Sequence, residues 1–211
     1  MQSGEVEVCE WTNYALAVRF RAAAAGVPFM PVRSMLGTDT FARSAGREMT
    51  CPFSGKKVVA VPALYPDVSL IHVHESDVHG NCRIRGISVA DFDLARASKR
   101  LIVTTERIVS NDEIRKHPEM TVIPSFCVDA VCEVPCGSYP GNMAGEYFSD
   151  EEHLREWLRV EEDENELRGF LQKHIYGVPD FESYLRGCGG AERIRQLRAQ
   201  ELLLPEKEAG R

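Results

Sequence analysis

The sequence predicts an α/β fold, and three observations carry that prediction. Four short β-branched or apolar runs stand at Lys57–Pro62, 69–73, 101–105 and 128–134. Between and after the later runs come helix-opening signals at Asp91 and at Ser110-Asn-Asp-Glu113. Strands alternating with short helices are the pattern of a sheet with helices packed on it. Beyond residue 147 the β-branched runs stop and helical periodicity takes over. The expected organisation is therefore an α/β domain over 1–147 and a helical C-terminal extension over 148–211.

Residues 6–10 alternate weakly and predict a short strand. Thr12 or Asn13 then caps a helix through Ala25, rich in alanine and other strong helix formers and stopped by Gly26. Residues 27–35 read as extended and proline-punctuated. Residues 37–54 turn polar and irregular, which predicts a long surface loop. The runs 57–62 and 69–73 are almost continuously apolar, as buried strands of a parallel or mixed sheet are. His79-Gly80-Asn81 is a turn signal before a further strand over 82–87. Asp91 caps a short helix to Ser98, and 101–105 is the next strand. Ser110 to Glu113 matches a capping box. Residues 128–134 form the last strand, which Pro135-Cys-Gly-Ser-Tyr-Pro140 ends. Ser149-Asp-Glu-Glu152 matches a second capping box, opening a helix with Leu154, Trp157 and Leu158 on one face. Helical stretches follow over 165–176 and 191–203, and the last residues, 205–211, should fray.

The chain has 211 residues and a formal net charge of −7. That balance argues against a nucleic-acid partner, which needs a surplus of Lys and Arg on one face. The pairs Arg83 with Arg85 and Lys99 with Arg100 read as solvated strand or helix ends, with a phosphate-binding role as the open alternative. The acidic start M-Q-S-G-E-V-E-V-C-E lacks the apolar stretch of a secretory signal, and no apolar run is long enough to span a bilayer. Seven cysteines without a C-x-x-C pair suggest neither a disulfide framework nor a zinc ribbon, and reduced thiols in a cytoplasm fit best.

In order along the chain stand A-A-A-A-G-V-P-F-M-P-V (22–32), G-T-D (37–39), K-K-V-V-A-V-P (56–62), D-V-S-L-I-H-V-H-E-S-D-V-H-G-N (67–81), D-F-D-L-A-R-A-S-K-R-L-I-V-T-T-E-R-I-V (91–109), D-E-I-R (112–115) and V-D-A-V-C-E-V-P-C-G-S-Y-P (128–140). This succession resembles the carboxy-terminal part of the A-type polypeptide of glutaconate-type, family I CoA-transferases. The resemblance fades after about Tyr147. It implies a CoA-transferase-like sheet with flanking helices and a helical tail. It also implies coenzyme A as a substrate, with no tightly bound cofactor and no metal, and a hetero-oligomer with a B-type subunit. In that family a glutamate of the B-type subunit, within a Ser-Glu-Asn-Gly-like turn, attacks the acyl-CoA thioester. No such turn occurs here. The Gly-Gly-Phe-type loop of the A-type polypeptide is absent too, so the expectation is a chain missing the amino-terminal portion of that polypeptide.

Five residues are the site candidates. Matching back from the 22–29 run places Glu10 near a catalytic glutamate of relatives that hydrolytically open a steroid-derived ring held as a CoA thioester. There it would be a base for water or a carbon acid; the alternative is a strand-end carboxylate that is solvated or caps the next helix. Arg33 with Ser34 offers a guanidinium fork for a carboxylate. Gly137 permits close backbone approach and Ser138 supplies a hydroxyl at a strand end, where ligands of open α/β sheets gather; an ordinary edge turn is the alternative. His72, His74 and His79 with Asp77 invite a metal reading, but packing with hydrogen-bonded imidazoles is the simpler account. Cys127, Cys132 and Cys136 read as structural thiols. Three functions follow: an A-type transferase subunit for small carboxylic acids, a hydrolase or ring-cleaving relative using Glu10, or a truncated non-catalytic remnant.

Overall fold

The computed structural model describes residues 4–204. Two compact units divide the chain, Met1–Val134 and Pro135–Arg211. The fraying expected over 205–211 lies outside the described residues. Among the described residues, no helix is long and apolar enough to cross a membrane.

The first unit opens with helix α1 (Asn13–Ala24), where Thr12 Oγ1 accepts from the Ala15 amide at 3.1 Å. Such a cap satisfies one of the orphan N–H groups of the first turn. Gly26 takes φ 70°, the left-handed value that ends a helix at no steric cost. Residues 6–10, expected as a strand, are irregular, because Glu10 gives its amide to the Arg43 carbonyl of a loop rather than to a ladder.

Strand β1 (Phe29–Val32), helix α2 (Asp39–Ala42), strand β2 (Arg47–Thr50) and strand β3 (Lys57–Pro62) come next. The loop expected over 37–54 thus contains a helical turn capped by Thr38 and a strand. Both are too short and too polar to announce themselves by periodicity. The three strands form a separate antiparallel sheet in the order β1-β3-β2. In β3 only Val59 and Val61 are buried, packing with Ala15, Val18, Val32 and Met35. Its own sheet is wholly antiparallel, not the parallel or mixed one that its apolar run suggested.

The larger sheet runs β5-β4-β6-β7, from β4 (Ser69–Ser76), β5 (Cys82–Arg83), β6 (Leu101–Ile108) and β7 (Ala130–Glu133). The pairings β4–β6 and β6–β7 are parallel and β4–β5 is antiparallel. Helix α3 (Asp91–Ala97) is the crossover between β4 and β6. One face carries Ile71, Val73, Leu101 and Val103, which pack with Ala95 of α3 and with Ile123. Burying each such side chain contributes on the order of 1.5–3 kcal/mol. The other face presents Leu70, His72, Ile102 and Thr104, at most partly buried. Strand β5 is two residues long, shorter than the expected 82–87 run, because Arg85 turns its amide to His74 Nδ1 at 3.0 Å. The His79-Gly80-Asn81 turn forms as expected. Asp77 takes the amides of His79 and Asn81 at 3.0 and 2.9 Å, and Gly80 has φ 92°. A Cβ at Gly80 would lie 2.7 Å from Val128 Cβ, so glycine is required on two counts. Helix α4 (Asn111–Lys116) is capped by Ser110, whose Oγ accepts from Glu113 N at 3.2 Å.

In the second unit, Tyr139, Met143, Tyr147 and Leu197 form a buried cluster. Four helices build the rest: α5 (Glu151–Val160), α6 (Glu164–Leu171), α7 (Phe181–Gly187) and α8 (Gly190–Glu201), with a π-turn over Gln172–Tyr176. The α5 cap is Asp150 rather than Ser149: its carboxylate takes the His153 amide at 3.2 Å. Helix α7 falls where the sequence predicts no element; its seven residues are too few to show a clear stripe.

Candidate functional site

Glu10 is half-buried just before α1. Its Oε1 accepts from Arg43 Nη1 at 2.9 Å, and its amide donates to the Arg43 carbonyl at 3.1 Å. It therefore caps nothing; Thr12 does that. Beside it, the Arg19 guanidinium lies 4.3 Å from the Trp11 ring centroid, a cation–π contact. Arg33 and Ser34 follow β1 and are exposed. Among the described residues, no hydrogen bond or ion pair joins Glu10, Arg33 and Ser34 to one another.

The carboxyl ends of parallel β4 and β6 carry a denser polar array. Glu75 Oε1 accepts from Arg85 Nη2 at 2.6 Å and Arg107 Nη2 at 3.2 Å, while Oε2 faces Arg83 Nη1 at 3.4 Å. Burial works to raise the Glu75 carboxyl, but hydrogen bonds from Arg107 and Arg83 and the Arg85 charge prevail and hold it below its ordinary value. Arg83 is buried, which corrects the reading of this cluster as solvated. Its Nη2 donates to the carbonyls of Glu113 at 2.9 Å and Ile114 at 3.3 Å, orphan acceptors at the end of α4. Arg85 and Arg107 stay about half exposed.

On the sheet face opposite the apolar cluster, His72 Nδ1 lies 2.8 Å from Thr104 Oγ1 and Nε2 lies 2.9 Å from Glu106 Oε1. The register explains this: His72 pairs with Thr104 across parallel strands, and Glu106 follows two residues on with the same side-chain parity. Asp77 is saturated by the two amides already named and by the Asn81 and Asn111 side chains, each at 2.8 Å. His79 is exposed. His72, His74, His79 and Asp77 thus have separate surroundings and do not converge. A groove of about 320 Å³ lined by Lys99, Phe126, Cys127 and Asp129 lies at the opposite, amino-terminal ends of β6 and β7.

Gly137 and Ser138 belong to the second unit. The Ser138 amide donates to the Tyr147 hydroxyl at 3.0 Å, its carbonyl accepts from Gly141 N at 2.7 Å, and its hydroxyl faces Met143 Sδ at 3.6 Å. Cys136, just before, has φ 63°, a left-handed conformation rare for a side chain with Cβ.

Sequence reasoning missed the polar centre of this unit. Asp150, buried, accepts from the Tyr139 hydroxyl at 2.8 Å and from Arg193 Nε and Nη2 at 2.9 and 2.6 Å. The Arg193 fork holds the carboxyl well below its ordinary range, against a smaller opposing effect of burial. Burial and the Asp150 carboxylate push the Tyr139 phenol up. A cavity of about 290 Å³ beside them is also lined by His153, His174 and Cys188. Their ligand-capable atoms lie within 4.8 Å of one another. No local motif announces this cluster, because its members are 21 and 14 residues apart.

A mixed sheet with helices packed on it and polar groups at the carboxyl ends of its parallel strands defines the α/β class. The model of the Coenzyme A transferase family matches residues 1–134. An uncharacterized protein of Archaeoglobus fulgidus is 50% identical over 204 residues, 96% of this chain and 46% of that protein. The A-type polypeptide of glutaconate CoA-transferase from Acidaminococcus fermentans is 32% identical over 210 residues, 92% of this chain and 66% of the relative. The crystal structure of glutaconate coenzyme A-transferase from that organism superposes with a TM-score of 0.86 at 31% identity, over 93% of this chain and 67% of that one. The cholesterol ring-cleaving hydrolase IpdA subunit of Mycobacterium tuberculosis is 28% identical over 200 residues, 90% of this chain and 68% of its own length. The chain belongs to the coenzyme A transferase family. It spans about half the length of the first of these relatives and about two thirds of the others.

Proposed function

We propose that this chain is the A-type member of a two-polypeptide CoA-transferase, with a separate B-type subunit that brings the nucleophilic glutamate. The observation that carries the reading is the match of fold over nine tenths of the chain to glutaconate coenzyme A-transferase. The B-type carboxylate attacks the acyl-CoA carbonyl, expelling CoA thiolate and forming a mixed anhydride. The thiolate then attacks the glutamyl carbonyl, giving a glutamyl-CoA thioester and the free acid. An acceptor carboxylate repeats both steps in reverse, and the glutamate is restored.

This chain's own share is binding and orientation. Arg33 and Ser34 grip the carboxylate of a small acid, and Gly137 and Ser138 form a wall of the thioester pocket. Arg85 and Arg107 meet a phosphate of CoA, and CoA is a substrate rather than a tightly bound cofactor. The complex works in the cytoplasm with no nucleic acid or membrane partner. The test mixes acyl-CoA and small carboxylic acids with the purified chain, alone and co-expressed with a B-type subunit. Transfer by the pair and none by the chain alone is the expected result; no transfer in either mixture overturns the proposal.

A second reading has one observation in its favour. Glu10 is half-buried, its carboxylate held by the Arg43 guanidinium and its backbone amide by the Arg43 carbonyl, a fixed position of the kind a general base needs. In that reading the complex hydrolyses or cleaves a ring in a CoA thioester, as the name of the IpdA relative describes for that protein. Full activity in Glu10→Gln would remove it.

A further inference from the structure

We propose that His153, His174 and Cys188 form a binding site for one zinc-class divalent cation within the helical unit. The three residues come from three elements: His153 from the first turn of α5, His174 from the middle of the π-turn, and Cys188 from the residue that ends α7. Cys188 Sγ lies 3.9 Å from His153 Nδ1 and 3.7 Å from His174 Nδ1. In a tetrahedral zinc site, with Zn–S about 2.3 Å and Zn–N about 2.05 Å, sulfur and nitrogen stand about 3.6 Å apart. The observed separations are within a few tenths of an ångström of that edge. They are long for a thiol hydrogen bond, and one S–H proton can serve only one of the two nitrogens.

The surroundings fit a cation as well. The His153 and His174 rings stand edge to face, 5.0 Å between centroids and 84° between planes, so their edges can meet at one point. The far nitrogen of His153, Nε2, lies 3.4 Å from the Tyr184 hydroxyl, the kind of outer contact that fixes a ligating imidazole's tautomer. His174 is buried, yet its Nε2 has no partner among the described residues and its Nδ1 meets only the thiol. A cation at Nδ1 replaces that weak contact with a coordinate bond. Two imidazoles and a thiolate are borderline-to-soft donors, which select zinc or cobalt over magnesium or calcium. The cavity lined also by Glu152, Glu156 and Lys173 gives the ion a route in, and a water there completes four-coordination. Binding breaks the Cys188 S–H bond, forms S–Zn and releases the proton to solvent. Clipping α5, the π-turn and α7 to one ion would stabilise the unit.

The test uses the full chain, stripped with a chelator and titrated with cobalt(II) and then zinc(II). One equivalent of cobalt should give the intense d–d bands of a four-coordinate site and a thiolate-to-cobalt charge-transfer band, both abolished by zinc. Zinc should raise the Tm, and Cys188→Ser should lose the charge-transfer band and bind more than about 100-fold more weakly. A wild-type measurement guards against a variant that fails to fold: zinc should protect Cys188 from alkylation, read by peptide mass mapping, while exposed Cys132 reacts equally with and without it. A wild type with no cobalt spectrum and no zinc-dependent shift would overturn the site. So would a charge-transfer band that survives in Cys188→Ser, or unprotected Cys188.

Discussion

The strand unit and the helical unit each bury a carboxylate beneath arginine, but they assemble the arrangement differently. In the first, Glu75 gathers Arg83, Arg85 and Arg107 from its own sheet and the segment just beyond β5, so the register of neighbouring strands puts the partners in place. In the second, Asp150 is held by one fork from Arg193, 43 residues away on another helix, and by Tyr139 from the preceding loop. Sheet geometry distributes a charge over several partners; the helical unit concentrates it on one. Loss of a single partner should therefore be felt far more in the helical unit.

Asp150→Ala should give the largest effect. It takes the close carboxylate from the Arg193 guanidinium, leaving it only the longer contacts to Glu152 and Gln196, takes the same acceptor from the Tyr139 hydroxyl, and removes the α5 cap, for a loss of about 4 kcal/mol. Hydrogen exchange should rise across 150–200 while β4 and β6 keep their protection; a uniform rise would break the contrast between the units. Leu101→Ala should cost about 3 kcal/mol through a cavity in the strand core, read as a shifted denaturation midpoint with unchanged slope.

The alkaline limit sharpens the same comparison. Burial pushes the Cys82 thiol up to about 11, against an opposing hydrogen bond with Ser76. The folded form therefore keeps its proton while the unfolded form loses it. The contribution is fully present below about pH 8.5 and falls away as pH rises toward 11, by roughly 3 kcal/mol. Cys82→Ala should flatten that limb in a pH series of urea melts, and an unchanged limb would contradict it. Thr12→Ala should cost about 1 kcal/mol through the lost α1 cap. Smallest of all, Arg43→Ala should leave the denaturation midpoint nearly unmoved, since the Glu10 pair is surface-exposed on the arginine side.

What the sequence disclosed follows the same division. The strands β3, β4, β6 and β7, the α1 cap at Thr12 (one of two positions the sequence offered, with Asn13), the α4 cap at Ser110 and the His79–Asn81 turn rest on interactions a few residues long, and each was legible. The antiparallel placement of β3 was not, because an apolar run of six residues reads alike in either kind of sheet. Helix α2 and strand β2 lie in a polar stretch whose order comes from packing: a Cβ at Gly46 would stand 2.7 Å from Val59 Cγ1. The succession of runs disclosed the family. Of the site candidates, Glu10 proves to be tied to Arg43, whereas Asp150, Arg193 and the His153–His174–Cys188 cluster had no short-range signature to find.

The central claim is that the attacking carboxylate belongs to another polypeptide while this chain binds and orients. Mass analysis of the co-expressed pair, quenched during turnover with acyl-CoA, tests it most directly. A CoA adduct on a glutamate of the B-type subunit, with this chain unmodified, is the predicted result. An adduct on a carboxylate of this chain would contradict the account.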